Sequence, residues 1–103
     1  MSSSDKTSLA KWRKACMERD RGRCVLTGGE GTTVHHIIKC RFQEFRYDTD
    51  NGVTLSAQMH RWVEDNPKAG MRAIRPAVGA QRFNVLMERF KVKYNREYKI
   101  GED

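Results

Sequence analysis

Thr32-Thr33-Val34-His35-His36-Ile37-Ile38 decides how this chain reads. β-Branched residues on both sides of an adjacent histidine pair predict a strand over 32–38. The preceding Thr27-Gly28-Gly29-Glu30-Gly31 predicts a turn. Arg23-Cys24-Val25-Leu26, short and apolar after Gly22, predicts the first strand of a hairpin. Downstream, Asn51 stands in Asp50-Asn51-Gly52, and His60 follows Ser56-Ala57-Gln58-Met59. These are the only 3 histidines among 103 residues, in the order His-His, Asn, His.

Elements on either side complete a small α+β domain. Leu9, Trp12 and Cys16 recur at helical spacing, with Ala15 on the same stripe. Thr7 or Ser8 can cap this helix and Gly22 can end it, which predicts a helix over 8–20 and a frayed segment over 1–7. Residues 39–51 are polar and aromatic without period and read as a loop. Gly52-Val53-Thr54-Leu55 leads into a helix capped by Ser56 and running to Asp65, where Asn66-Pro67 stops it. Phe83, Leu86, Phe90 and Tyr94 predict a long amphipathic helix over 76–100. The expected architecture is one domain over 1–103. Its motif-bearing core spans 8–67, with a β-hairpin packed on a helix and further N- and C-terminal helices. Those terminal helices are expected to pack around Trp12, Trp62 and Phe90.

The net charge is +7 and the pI about 9.7, so polyanions are favoured partners. Arg13, Lys14, Arg19, Arg21 and Arg23 cluster early, and Lys91, Lys93, Arg96 and Lys99 late. Trp12, Phe42, Phe45 and Tyr47 interleave with the first and middle basic groups. The cysteines, Cys16, Cys24 and Cys40, are odd in number with no Cys-x-x-Cys, which argues against a secreted disulfide framework and for the cytoplasm. No apolar run approaches the ~20 residues of a membrane span. Met1-Ser2-Ser3-Ser4-Asp5-Lys6 lacks the apolar region of a signal peptide.

The histidines bear on chemistry. Cleaving a phosphodiester needs an activated water and a sink for charge on the phosphate and leaving oxygen. A neutral imidazole suits the first task, and a divalent cation held by histidines suits the second. Glu64 lies one turn after His60 on the same helical face, as a third ligand or as a group that orients one. Taken singly, each residue has an ordinary reading: a solvated histidine, an Asn-Gly turn, an exposed helical glutamate. Strand alternation sends His35 and His36 to opposite faces, so both serve one site only if the strand ends or twists there.

The stretch from Trp12 to about Pro67 resembles the HNH endonuclease family, whose fold is the ββα-metal finger. The resemblance rests on Arg19-Asp20-Arg21-Gly22-Arg23-Cys24, Val34-His35-His36-Ile37, Asn51-Gly52-Val53-Thr54-Leu55 and His60, nine positions after Asn51. It implies that His35 and His60 ligate a metal and that His36 is the general base. It also implies that Asn51 completes the catalytic set, fixing the connecting loop and positioning the base by hydrogen bonding. In colicin-type members another ligand follows four residues on, where this chain has Glu64, a different residue type. Many small members add a zinc ribbon of two Cys-x-x-Cys pairs. Here those places read Cys24-Val25-Leu26-Thr27 and Ser56-Ala57-Gln58-Met59. One thiol cannot close a tetrahedral site, so no structural zinc is expected.

The implied activity is metal-dependent DNA cleavage, nicking or double-stranded, leaving 3′-hydroxyl and 5′-phosphate ends. The implied cofactor is one divalent ion, Mg²⁺ or Mn²⁺ in function, with Zn²⁺ or Ni²⁺ possible as bound. Lys39, Arg41 and Arg46 follow the histidine pair and are expected to hold phosphates. The alternative is a non-catalytic nucleic-acid-binding module on the same scaffold; a third reading is a structural metal finger. His36 discriminates, because pure metal binding has no use for a second adjacent histidine. DNA is the expected partner and a membrane is not. By analogy, the small size fits a phage-like protein or one working beside a larger DNA-processing protein. The sequence leaves the oligomeric state open.

Overall fold

The computed structural model describes residues 3–101. Its elements, in order, are α1 (Ser3–Arg19), β1 (Thr33–His36), α2 (Gln43–Arg46), a 3-10 turn (Thr49–Asn51), β2 (Gly52–Leu55), α3 (Ala57–Asp65), α4 (Pro67–Val78) and α5 (Ala80–Tyr94). The class is α+β, as the sequence predicts.

α1 starts earlier than expected. The segment 1–7 was expected to fray, yet the helix begins at Ser3; Met1 and Ser2 lie outside the described residues. Leu9, Trp12 and Cys16 form its packed stripe, whereas Ala15 faces solvent. Gly22, at φ 67, closes the helix end, its N–H donating to the Met17 carbonyl at 2.8 Å.

The strand pairing differs from the expected hairpin. Residues 23–26 make one isolated bridge, Arg23 to Glu30, and otherwise turn tightly. The Cys24 N–H donates to the Gly29 carbonyl and the Gly28 N–H to the Cys24 carbonyl, both at 2.8 Å. β1 pairs instead with β2, antiparallel, in a register running from Thr33↔Leu55 to His36↔Gly52. Every residue of β2 is buried, with Gly52 and Thr54 against α1 and Val53 and Leu55 in the larger core. The connection over 37–51 is not structureless, since it contains α2 and the 3-10 turn.

Ser56 caps α3 as predicted, its hydroxyl accepting from the Met59 N–H at 3.2 Å. Asn66-Pro67 ends α3 but also starts α4, with Pro67 in the first turn, where a missing N–H costs nothing. The helix expected over 76–100 is shorter, α5 over Ala80–Tyr94, and α4 before it was not expected. Pro76 lies near the end of α4, Gly79 at φ 97 makes the break, and α5 ends at Asn95 in the left-handed region.

The sheet presents different residues to its two sides. Val34, Thr54, His36 and Gly52 face α1: Val34 packs with Trp12 and Cys16, and the Thr54 hydroxyl donates to the Cys16 carbonyl. Val53 and Leu55 join the larger core with Ile37, Ile38, Phe45, Val63, Ile74, Leu86 and Phe90. Trp12 and Phe90 thus belong to separate clusters, and Trp62 is 37% exposed on α3. The expected packing of the terminal helices around all three aromatics does not form.

Candidate metal centre and the adjacent histidine

Alternation along β1 puts Thr33 and His35 on the side of α3, where Ser56 has set the start of the helix. His60 and Glu64 project from α3 one turn apart. The His60 Nε2 lies 3.1 Å from the Glu64 Oε1, and the His35 Nδ1 lies 3.7 Å from the same oxygen. The two imidazoles meet edge to face at 5.2 Å. One donor atom from each of these three residues falls within 4.8 Å of the others, the only such grouping of three or more potential ligands among the described residues.

The surroundings suit a cation. His35 is 7% exposed. Burial first, then the charges of His60 and Lys39, hold its pKa down to about 4 against the pull of Glu64, so the ring is neutral at pH 7 and has a lone pair to give. The Thr33 hydroxyl lies 3.0 Å from the His60 Nδ1. The Glu64 carboxylate only accepts, so here Nε2–H donates to it and Nδ1 accepts from the Thr33 hydroxyl; an ion taking Nε2 would shift the proton to Nδ1, where the Thr33 oxygen can accept it. Lys39 reaches the other carboxylate oxygen of Glu64 at 3.7 Å. Two neutral nitrogens and one carboxylate fit a first-row divalent ion.

His36 points the other way, as alternation requires. Its ring stacks on Trp12 of α1, centroids 4.0 Å apart and planes 10° apart. Its Nε2 lies 2.9 Å from the Arg46 carbonyl oxygen. A carbonyl only accepts, so the proton sits on Nε2 and Nδ1 carries the lone pair. Burial is the main cause that lowers the His36 pKa, aided by the charges of Arg13, Arg46 and His60 and opposed by the Arg46 carbonyl. β1 ends at His36. That ending lets His35 and His36 border one cleft, together with Lys39, Cys40, His60 and Glu64.

Asn51 does not border the cleft. It is fully buried, and its amide pins the connection between the strands. Oδ1 accepts from the Ile38 N–H at 2.6 Å, and Nδ2 donates to the carbonyls of Ile38 and Phe45 at 2.9 and 3.0 Å. Its side-chain hydrogen bonds go to the backbone of the connecting loop and none to His36 itself. Asn51 fixes Phe45, and the next carbonyl, that of Arg46, holds the imidazole.

The turn carrying Asn51 is clamped from both ends of the chain. Trp12 Nε1 donates to the Asp48 carbonyl at 2.7 Å. Arg19, paired with Asp20 at 2.8 Å, also donates to the carbonyls of Thr49 and Gly52. Arg82 of α5 donates to those of Asp50 and Gly52, and Arg89 pairs with Asp48 at 2.7 Å.

Of the three loop cations, Lys39 borders the cleft, Arg41 lies 4.5 Å over the Phe42 ring, and Arg46 Nε donates to the Cys40 carbonyl. In the C-terminal basic group Lys91 pairs with Glu97 and Lys93 with Glu44. Cys24 is buried beside Thr27 and Ser56. Burial raises its pKa, but hydrogen bonds from Thr27 and the amides of Ser56 and Leu26 outweigh it and lower the value.

Sequence reasoning gave no place at the site to Thr33 or Arg82, and read Trp12 only as a packing residue. Thr33 was within reach, since it lies two residues before His35 on the same face of a strand. Trp12 and Arg82 reach their partners only through tertiary packing. No helix among the described residues is long and apolar enough to cross a membrane. Compared with family models, curated proteins and solved structures, the chain matches none.

Proposed function

We propose that this protein is a metal-dependent endonuclease that hydrolyses phosphodiester bonds in DNA through an HNH-type ββα site. One observation carries the reading: His35, His60 and Glu64 converge within 4.8 Å on the same cleft that borders His36, a neutral imidazole with a free lone pair. The succession β1, β2, α3 supports it, because this is the order of a ββα finger.

His35, His60 and Glu64 would hold the divalent ion, with Mg²⁺ or Mn²⁺ the working ion and Zn²⁺ or Ni²⁺ able to occupy the site. A bound cation supplies a sink for negative charge on the phosphate and the leaving oxygen. The chain's own residues do the rest. His36 accepts the proton of the attacking water at Nδ1 while Nε2–H stays on the Arg46 carbonyl, so the imidazolium that forms is already hydrogen bonded. Asn51 keeps that carbonyl in place through Phe45. Lys39, Arg41 and Arg46 hold the flanking phosphates, contacts that give affinity without sequence readout.

Supercoiled plasmid incubated with the protein and Mg²⁺, Mn²⁺, Zn²⁺ or Ni²⁺ tests this directly. Open circles or linear molecules are expected, and EDTA should abolish them. An unchanged plasmid under every ion, with DNA binding retained, would identify a non-catalytic binding module instead.

A further inference from the structure

We propose that Trp12 is a positioning residue for His36: its indole face sets the plane of the imidazole and thereby the direction of the Nδ1 lone pair. This rests on the reading of His36 as a general base. The lone pair lies in the ring plane, so a proton can be received only along a line in that plane. Two constraints define the line. The Arg46 carbonyl, 2.9 Å from Nε2, fixes rotation within the plane. The indole, 4.0 Å away and tilted by only 10°, fixes the plane itself.

The indole is fixed in its turn. It is 3% exposed, and its Nε1–H is held by the Asp48 carbonyl at 2.7 Å. Gly52 stands opposite His36 in the β1–β2 register, and a Cβ there would meet Trp12 Cζ2 at 2.7 Å and Cys16 Sγ at 2.5 Å. The space a side chain would take across from His36 is occupied by the ring that stacks on it. A tryptophan that served only the small α1 cluster would have no need of the near-parallel stack on the imidazole.

The test uses the full-length chain. In wild type, the His36 ring protons should resonate upfield of those of His60, show nuclear Overhauser contacts to the Trp12 ring, and carry the nitrogen shifts of an Nε2–H tautomer at neutral pH. Trp12→Phe keeps a flat face and should retain this signature and most of kcat. Trp12→Leu should lose the upfield shift and lower kcat by up to ~10²-fold, the cost of misplacing a reacting group by about an ångström. KM and the affinity for Mn²⁺ should hold. If Trp12→Leu does not fold, the wild-type spectrum decides. Absence of the stack in that spectrum, or a folded Trp12→Leu protein with unchanged kcat, overturns the proposal while leaving the nuclease reading intact. A wild-type protein that has the stack but cleaves nothing under any ion overturns the general-base reading and the positioning role with it.

Discussion

Arg19 of α1 and Arg82 of α5 donate to the same carbonyl oxygen, that of Gly52, at 2.6 and 2.8 Å. Two cations from opposite ends of the chain thus meet at the first residue of β2, next to Asn51. Each repels the other, and burial together with the Arg19 charge lowers the Arg82 pKa. The carbonyls of Thr49, Asp50 and Gly52 and the carboxylates of Asp20 and Asp50 offset that repulsion.

Arg82→Ala should therefore destabilise the protein by about 1.5–3 kcal/mol, the range for a hydrogen bond to a charged group. Arg19→Ala should cost a similar amount. The double variant should lose more than the sum, because either single substitution relieves the repulsion and still leaves the Gly52 carbonyl one of these donors, whereas the double leaves it neither. Urea denaturation of the four proteins measures the coupling; strict additivity would mean the shared carbonyl contributes nothing.

His36→Ala should lower cleavage at least ~10²-fold, as loss of a general base does, and leave ion binding nearly unchanged. Since burial lowers the His36 pKa, wild-type activity should persist to lower pH than an ordinary imidazole would allow, with the acid limb below about 6.5. A pH–rate profile at saturating ion places that limb.

His35→Ala, His60→Ala and Glu64→Ala should each weaken Mn²⁺ or Zn²⁺ binding in calorimetry. Thr33→Val should weaken it by about 10–100-fold, since it removes the group that orients the His60 ring. If Thr33→Val binds as wild type does, the ring is held by its helix alone.

Acid should destabilise the metal-free fold through His35. Its pKa is about 4 in the native state and near 6.5 in the unfolded chain. Between these values the unfolded state binds the extra proton, so stability is complete above about pH 6.5 and falls as pH drops toward 4. Over that window the loss should be on the order of 3 kcal/mol, at about 1.36 kcal/mol per pKa unit. Thermal unfolding of wild type and His35→Gln from pH 7 to 4 checks this, and the variant should have the flatter curve.

Neutralising Arg41 and Arg46 with glutamine should reduce the salt dependence of DNA binding by about two contacts, each ~0.9 in the log–log slope on duplex DNA. An unchanged slope would move the DNA path to the other exposed cations, Arg13 and Lys14 of α1 first.

The Ser56 cap, the placing of His60 and Glu64 one turn apart and the opposite facing of His35 and His36 were legible because they are local, whereas Asn51, which bonds Ile38 and Phe45, and the meeting of His35 with His60 were reached only through the resemblance. The same alternation that separates His35 from His36 was readable before any coordinates. What was not legible is which segments pair. Arg23–Leu26 has the composition of a strand, yet it curls through the turn at Gly28 and Gly29, and Gly52–Leu55 pairs with β1 in its place. Pro67 and Pro76 read as boundaries, but a proline also suits a helix start, and only packing decides. The stack of Trp12 on His36 depends on a distant glycine having no side chain, which no local pattern announces.

The two clusters also imply unequal resistance to opening. The proposed ligands His35, His60 and Glu64 lie on β1 and α3, whose Ile37, Val53 and Val63 neighbours belong to the large core, while α1 is docked through Trp12 and Cys16 against Val34, with Leu9 and Met17 at the edge. Helices that bury little apolar surface open locally at a lower free energy than the whole fold. Amide hydrogens of α1 should then exchange faster than those of β2, and each excursion that lifts α1 would carry Trp12 away from His36 while the cation ligands stay together. On the proposed function, the ion would stay held throughout, and hydrolysis would require the first helix to be seated.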